Sequence, residues 1–336
     1  MPGRHAAGAG ALSVGVLGLG RMGLPIAARL ARAGFVVSGF DIDDSRRRPA
    51  ELVALSWAAN ADELAAGCDI LVTVLPGPAE VKAAASRAFA HLAPKTCWID
   101  LTSTDPRVAT RLAALAAERS IASVAAPMGG GVEAAAAGRL TFFVSGAAGA
   151  VERAAPVLEV LGGAIGRAAG IRSLGDDIAA GPTAKLLANL LWFGQSVAVT
   201  EALLLGQALG LDLATLRDTL AASAGGSAFI DRHLDHLLAG DYLTSFGLDR
   251  CVEELDTVAE LAGGAGVPFE LSTLVGRMHR DALHEFGAVD GELLAAKLLE
   301  RRAGRTLRSA PTTSAPAASA PAARPAPTVP TPRVKD

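Results

Sequence analysis

One unit near the start of the chain constrains the fold more than any other feature. Ser13–Leu17 (SVGVL) reads as a short β-strand that runs straight into Gly18-Leu19-Gly20-Arg21-Met22-Gly23, a GxGxxG turn. A helical run follows over Pro25–Arg32, then a second strand pattern over Phe35–Phe40 ending at an acid, Asp41. A strand that turns into a helix and returns parallel is a βαβ unit, which must bury both faces of its sheet. The glycines have separate tasks. Gly18 permits the tight turn, Gly20 lets the backbone approach a pyrophosphate, and Gly23 lets helix and strand pack closely. The unpaired N–H groups of the helix N-terminus face the phosphates. An acid about 20 residues beyond the turn accepts hydrogen bonds from ribose hydroxyls. The turn alone is a weak signal; with this context it predicts dinucleotide binding. Asp41 would repel a 2′-phosphate and favours NAD over NADP, while Arg46, Arg47 and Arg48 close behind supply the opposing charge.

Further strands are expected at Asp69–Leu75, Thr96–Leu101, Ile121–Ala126 and Leu140–Gly146, with Ala-rich helices such as Pro106–Ser120 between them. Beyond Gly175 the periodicity turns helical, over Ala184–Leu209, Leu213–Ala222, Phe229–Ala239, Cys251–Ala262 and Ser272–Phe286. The expectation is an α/β Rossmann-type doubly wound domain over 13–175 and an all-α substrate and dimerisation domain over 176–302. A long interdomain helix starting near Pro182 joins them. Residues 1–12 read as a flexible lead-in. Residues 303–336, with seven prolines after Ala310, read as a disordered tail.

The net charge of −3 on 336 residues provides no basic field for nucleic acid. Leu186–Leu205 is apolar, but Asn189, Gln195 and Glu201 within it suit a buried helix better than a membrane span, with Glu201 expected to have a buried polar partner. The N-terminus lacks the apolar core of a secretory signal. Cys68, Cys97 and Cys251 match no metal-ligand spacing and fit small buried hydrophobes in a reducing cytoplasm. His233 and His236 fit a helix surface better than a metal site, as do His279 and His284, and no metal is expected.

The chemical signal lies in GPTAKLLAN (Gly181–Asn189). Lys185 and Asn189 stand four apart and so share one helix face. Most such pairs are solvated, but Leu186, Leu187, Leu190 and Leu191 make this a largely buried helix on which a lysine needs a reason. Hydride transfer between an alcohol and a carbonyl needs a proton partner of this kind. Trp192 serves equally as a pocket wall or as domain packing.

Four stretches in this order resemble the β-hydroxyacid dehydrogenase family, of which 3-hydroxyisobutyrate dehydrogenase is the best-known member. GLGRMGLPIAARL (Gly18–Leu30) is similar to its cofactor fingerprint, and DLTSTDP (Asp100–Pro106) to its loop after a central strand. APMGGGVEAAAAGRLTFFVSG (Ala126–Gly146) is similar to its substrate loop, and Gly181–Asn189 to its catalytic helix. The resemblance implies an NAD(P)-dependent dehydrogenase with Lys185 as general acid/base and Asn189 as substrate ligand. It places Leu75 and Pro76 against the cofactor and Ser103 against nicotinamide or substrate. It also implies a small-molecule substrate held in part by Gly129, Gly130 and Gly131, and a homodimer or homotetramer built through the helical domains.

Three positions depart from the family pattern. Gly129 replaces a serine, Ala125 replaces an acid, and Glu253-Glu254 in FGLDRCVEEL (Phe246–Leu255) replaces a Lys-Asp pair. A carboxylate at Glu253 would oppose a carboxylate substrate by on the order of 4 kcal/mol at about 4 Å and an effective dielectric near 20. The expected substrate is therefore larger, neutral or cationic. An imine reductase-like or other carbonyl reductase is the enzymatic rival, although imine reductases generally lack the lysine. A non-catalytic NAD-binding sensor is the rival from another class.

Overall fold

The computed structural model describes residues 12–163 and 171–308. Nine strands are present among them: β1 Ser13–Leu17, β2 Val36–Phe40, β3 Ser56–Trp57, β4 Ile70–Thr73, β5 Cys97–Asp100, β6 Ala122–Ala125, β7 Met128–Gly129, β8 Thr141–Val144 and β9 Ile171–Ser173. The first six form one parallel sheet in the order β3-β2-β1-β4-β5-β6, the doubly wound order expected of a Rossmann-type fold. β7, β8 and β9 form a second, three-stranded sheet. The expected strands fall where the apolar runs put them. β3, β7 and β9 went unread because two or three residues carry no periodicity.

Val14, Val16, Ile70, Val72 and Ile99 are buried against helices on one face of the large sheet. Leu17, Leu71 and Trp98 are buried on the other. This two-sided burial makes parallel strands read as continuous apolar runs rather than alternating ones. The sheet order reverses between β1 and β4, which opens a crevice at their carboxyl ends. Three loops meet at that edge: Gly18–Gly23 after β1, Val74–Pro76 after β4, and Leu101–Thr104 after β5.

The long interdomain helix spans Ala180–Ala208. Its start is pinned to the second sheet by Ser145, whose hydroxyl donates to the Ile178 carbonyl and accepts from the Gly181 N–H, both at 2.9 Å. A side chain at Gly181 would strike the Phe143 carbonyl oxygen, so glycine is what lets the helix lie against β8. By length and composition this helix could cross a membrane. It instead contributes Phe193, Val197, Leu203 and Leu204 to the helical cores. Glu201 is exposed and has no hydrogen-bond partner among the described residues, contrary to the buried partner expected for it.

Helices Leu213–Ala221, Leu248–Ala265, Glu270–Phe286 and Leu294–Ala303 pack around it. The expected helix over Phe229–Ala239 is broken at His233 into Ala228–Arg232 and Leu234–Ala239, with the His233 ring edge-on to Trp192 at 5.6 Å. Trp192 also meets Phe193 and Phe229, so it packs within the helical half. The chain stays packed beyond 303. Leu307 is fully buried, and its N–H donates to the buried Glu300 carboxylate at 2.6 Å. The lead-in through 11 and the tail from 309 lie outside the described residues. All three cysteines are buried and free. No metal-holding cluster of His, Cys, Asp or Glu occurs among the described residues.

Candidate active site

The glycine turn meets the steric demands of a dinucleotide cradle. Gly18 has φ +97°, and a side chain there would strike the Val74 carbonyl oxygen. A side chain on Gly23 would strike the Gly18 carbonyl oxygen. At Gly20 a Cβ would meet nothing within 4 Å, so the open face of the turn is there. The helix that follows, Gly23–Arg32, has neither a side-chain cap nor an acid in its first turn, which leaves its N–H groups for an anion.

Asp41 sits at the end of β2 and accepts from the Leu19 N–H at 2.7 Å and the Asp43 N–H at 2.9 Å. Each carboxylate oxygen is thereby fixed beside the turn with acceptor capacity left. Arg46 lies 3.3 Å from Asp43, and Arg47 pairs with Glu51 at 2.9 Å. Arg21 turns away from the cradle. Its guanidinium pairs with Asp290 at 2.9 Å and donates to the Thr244 carbonyl, tying the turn to the helical half. Met22 packs against the sheet core.

The loop after β5 is held from below. Asp100 is buried and accepts from Thr73 Oγ1 at 2.8 Å and the Thr102 N–H at 3.1 Å. Burial pushes its carboxyl up to about 6 against those hydrogen bonds. Trp98 Nε1 donates to Thr73, and the Thr102 hydroxyl accepts from the Leu75 N–H at 3.1 Å. This network locks the Leu75 loop to the Ser103 loop, and Ser103 and Pro76 line one small cavity. Gly129, Gly130 and Gly131 lie where β7 passes into the helix Gly131–Ala137, with Gly130 at φ +116°. A Cβ on Gly129 would meet nothing within 4 Å, so the missing serine is not excluded by space.

Lys185 stands one turn into the interdomain helix. Its Nζ donates to Asn189 Oδ1 at 2.9 Å, and Asn189 Nδ2 donates to Glu254 Oε2 at 2.6 Å. Both amide atoms of Asn189 are thereby assigned, and its oxygen is held toward the lysine. Burial pushes the Lys185 ammonium below the usual lysine value, while Glu254 and Glu292 oppose that shift. Burial pushes the Glu254 carboxyl up; Lys185, Asn189 and the Ser103 hydroxyl hold it down in part. Glu292 is likewise raised by burial and accepts from Ser245 Oγ at 2.6 Å.

The sequence reading singled out Glu253, and the structure puts its neighbour Glu254 beside the lysine. Glu253 pairs with Arg250 at 2.9 Å, and Arg250 reaches on to Glu80 at 2.8 Å. Glu253 lines the cavity next to Ser103 as half of an ion pair. Helical spacing distinguishes the two glutamates. Cys251, Glu254, Val258 and Ala262 share the buried face of the helix Leu248–Ala265, whereas Glu253 lies off it. Glu292 had no comparable signal, since it sits in a short link between helices.

Residues 13–170 match the NAD-binding domain of 6-phosphogluconate dehydrogenase, and residues 179–299 match the NAD-binding domain of NADP-dependent 3-hydroxyisobutyrate dehydrogenase. The chain is 34% identical over 217 residues to an NAD-dependent L-serine dehydrogenase of Pseudomonas aeruginosa, covering 64% of this chain and 70% of that one. It is 32% identical over 270 residues to an L-threonate dehydrogenase of Cupriavidus necator, covering 79% of this chain and 89% of that one. Its fold overlays that of Mycobacterium tuberculosis 3-hydroxyisobutyrate dehydrogenase, solved with L-serine, at a TM-score of 0.77 and 26% identity, over 86% of this chain and 99% of that one. This chain belongs to the β-hydroxyacid dehydrogenase family and is an NAD(P)-dependent oxidoreductase acting on hydroxyl groups.

Proposed function

We propose that the enzyme oxidises a substrate carbinol, or reduces the matching carbonyl, in the cleft between the strand edge and the interdomain helix, with Lys185 as general acid/base. Residues 13–175 would hold the nucleotide and 176–302 the substrate side. The observation that carries this reading is Lys185 itself. It is an ammonium held by Asn189 on a partly buried helix face, with its proton affinity lowered by burial. A lysine tuned in this way loses its proton more readily than a solvated one and can take the proton of a hydroxyl. Asn189 positions both the lysine and the substrate oxygen.

Nicotinamide, when bound, supplies the hydride acceptor or donor. Gly18, Leu19, Gly20, Met22 and Gly23 would cradle its pyrophosphate, with Arg21 contributing backbone only. Leu75, Pro76 and Ser103 would flank the nicotinamide. We favour NAD over NADP because Asp41, held beside the glycine turn, would meet the ribose hydroxyls, and because Arg46 and Arg47 lie against acids of their own, leaving exposed Arg48 as the one arginine of the three without an ion pair among the described residues. Gly129, Gly130 and Gly131 would contact the substrate. Leu187, Leu191 and Leu205 are exposed along the interdomain helix and Leu209 at its C-cap, and this apolar stripe suits a homodimer or homotetramer formed through the helical halves. Burial and free thiols suit a cytoplasmic enzyme.

The test is nicotinamide absorbance with NAD and NADP against hydroxy acids, semialdehydes, amino alcohols and imines, repeated on Lys185→Ala. Turnover should fall by about 10²–10⁴-fold in the variant with nucleotide affinity unchanged. The oxidation rate should rise with pH as Lys185 deprotonates, at a pH below the ordinary lysine range. A variant as active as wild type would overturn the role given to Lys185.

A further inference from the structure

Given the dehydrogenase reading above, on which this rests, we propose that the cleft selects a substrate bearing an ammonium group beside the reacting carbinol, and that Glu254 receives it. Glu254 is 7% exposed; its Oε2 accepts from Asn189, and the Ser103 hydroxyl lies near enough to lower the proton affinity of the carboxyl. Oε1 is buried and has no hydrogen-bond partner among the described residues, while the side chain lines the cleft cavity with Ser103, Pro76 and Phe246. A buried carboxylate oxygen without a donor is costly, and a functional site tolerates one where a ligand brings the donor. An ammonium brings three.

The cations already present are occupied. Arg250 lies between Glu80 at 2.8 Å and Glu253 at 2.9 Å, with Asp249 at 3.7 Å. Arg21 is held by Asp290 and the Thr244 carbonyl. Arg107 is held by Asp105 and Glu260. Lys185 remains, and it faces Glu254 and Glu292. A substrate carboxylate entering here finds no unpaired guanidinium among the residues that line the cavity, where the one arginine is Arg250. An ammonium entering here meets Glu254 and Glu292, two carboxylates opposed by the single cation Lys185, while Arg250 balances Glu253 and Glu80. The same geometry accounts for what the family's lysine would do at position 253. That charge is reversed here, and Arg250 neutralises the reversed charge rather than restoring the original one.

Four compounds with a common CH2OH separate the charges: 2-methylpropan-1-ol carries neither, 3-hydroxyisobutyrate a carboxylate, 2-aminopropan-1-ol an ammonium, and serine both. With the full chain and NAD or NADP, kcat/KM for 2-aminopropan-1-ol should exceed that for 2-methylpropan-1-ol at least tenfold. Serine should exceed 3-hydroxyisobutyrate by a similar factor. In Glu254→Gln both ratios should fall toward one. Each ratio is taken within a single protein, so a general loss of rate in the variant cancels. Titration calorimetry provides a readout without turnover: 2-aminopropan-1-ol should bind wild type at least tenfold more tightly than it binds Glu254→Gln. If 3-hydroxyisobutyrate is the best of the four, or the ratios survive in Glu254→Gln, the ammonium proposal falls and the dehydrogenase reading stands. If none of the four is turned over while binding still depends on Glu254, the chemistry assigned to Lys185 fails and the recognition stands. No turnover together with no Glu254-dependent binding would sink both.

Discussion

The two walls of the cleft are built on different physical terms. The strand-edge wall is backbone: a glycine turn, N–H groups at a helix start, and loops locked together by Asp100, Thr73 and Thr102. Its tolerances are steric and its function is to fit a constant ligand. The helical wall is side chains: Lys185, Asn189, Glu254 and Glu292, gathered from three separate segments and balanced by charge. A wall made of backbone changes little when side chains change. A wall made of charges is retuned by single substitutions, and one of the three departures from the family pattern, Glu253-Glu254, lies on it, the other two being at Ala125 and Gly129 in the strand half. Arg21–Asp290, Arg107–Glu260 and Glu80–Arg250 tie the two walls together.

The largest expected effect attacks the first wall. Gly23→Ala forces a Cβ into the Gly18 carbonyl, so stability should drop by about 3 kcal/mol or more in urea unfolding. Nucleotide affinity should collapse with it. Asn189→Ala on the other wall should leave nucleotide titration unchanged while kcat falls by roughly 10²-fold. Equal losses of affinity in both variants would show that the walls are not separable.

A second contrast comes from pH, because burial favours the uncharged form of His279 in the helical half and of Asp100 in the strand half. His279, in the helical core, has Nδ1 donating to the Val275 carbonyl at 2.9 Å, and burial pushes its imidazole down to about 4. Its contribution is full above about 6.5 and is lost as pH falls through about 4. Asp100, in the strand half, is pushed up to about 6 from 3.8, so its contribution is full below 3.8 and is lost as pH rises through about 6. Each is worth about 3 kcal/mol, at about 1.4 kcal/mol per pH unit. In Tm measured from pH 4 to 8, His279→Phe should remove the acid-side loss and Asp100→Asn the opposing one. A profile that neither variant alters would break this part of the comparison.

The smallest effect is at Gly129. Its Cβ position is open, so Gly129→Ser should shift stability by no more than about 0.5 kcal/mol by thermal melt. A large loss would mean that the loop around Gly129 is tightly packed.

Most of the strand-edge wall was legible in the sequence. Gly18, Gly20, Gly23 and Asp41 stand out because a tight turn and a close approach admit few residue types, and the whole unit is local in the chain. Lys185 and Asn189 were legible for the same reason, being one helical turn apart. The sequence by itself determined the doubly wound sheet, the long helix and the position of the lysine, since apolar periodicity and glycine placement act over a few residues. The tertiary structure alone decided that Glu254 rather than Glu253 reaches Asn189, that Arg21 leaves the cradle for Asp290, and that Arg250 is saturated by Glu80 and Glu253. Those pairings join segments 65 to 269 residues apart, or turn on which side of a helix packs inward. Charge partnership over such distances is set by packing, which local sequence does not encode.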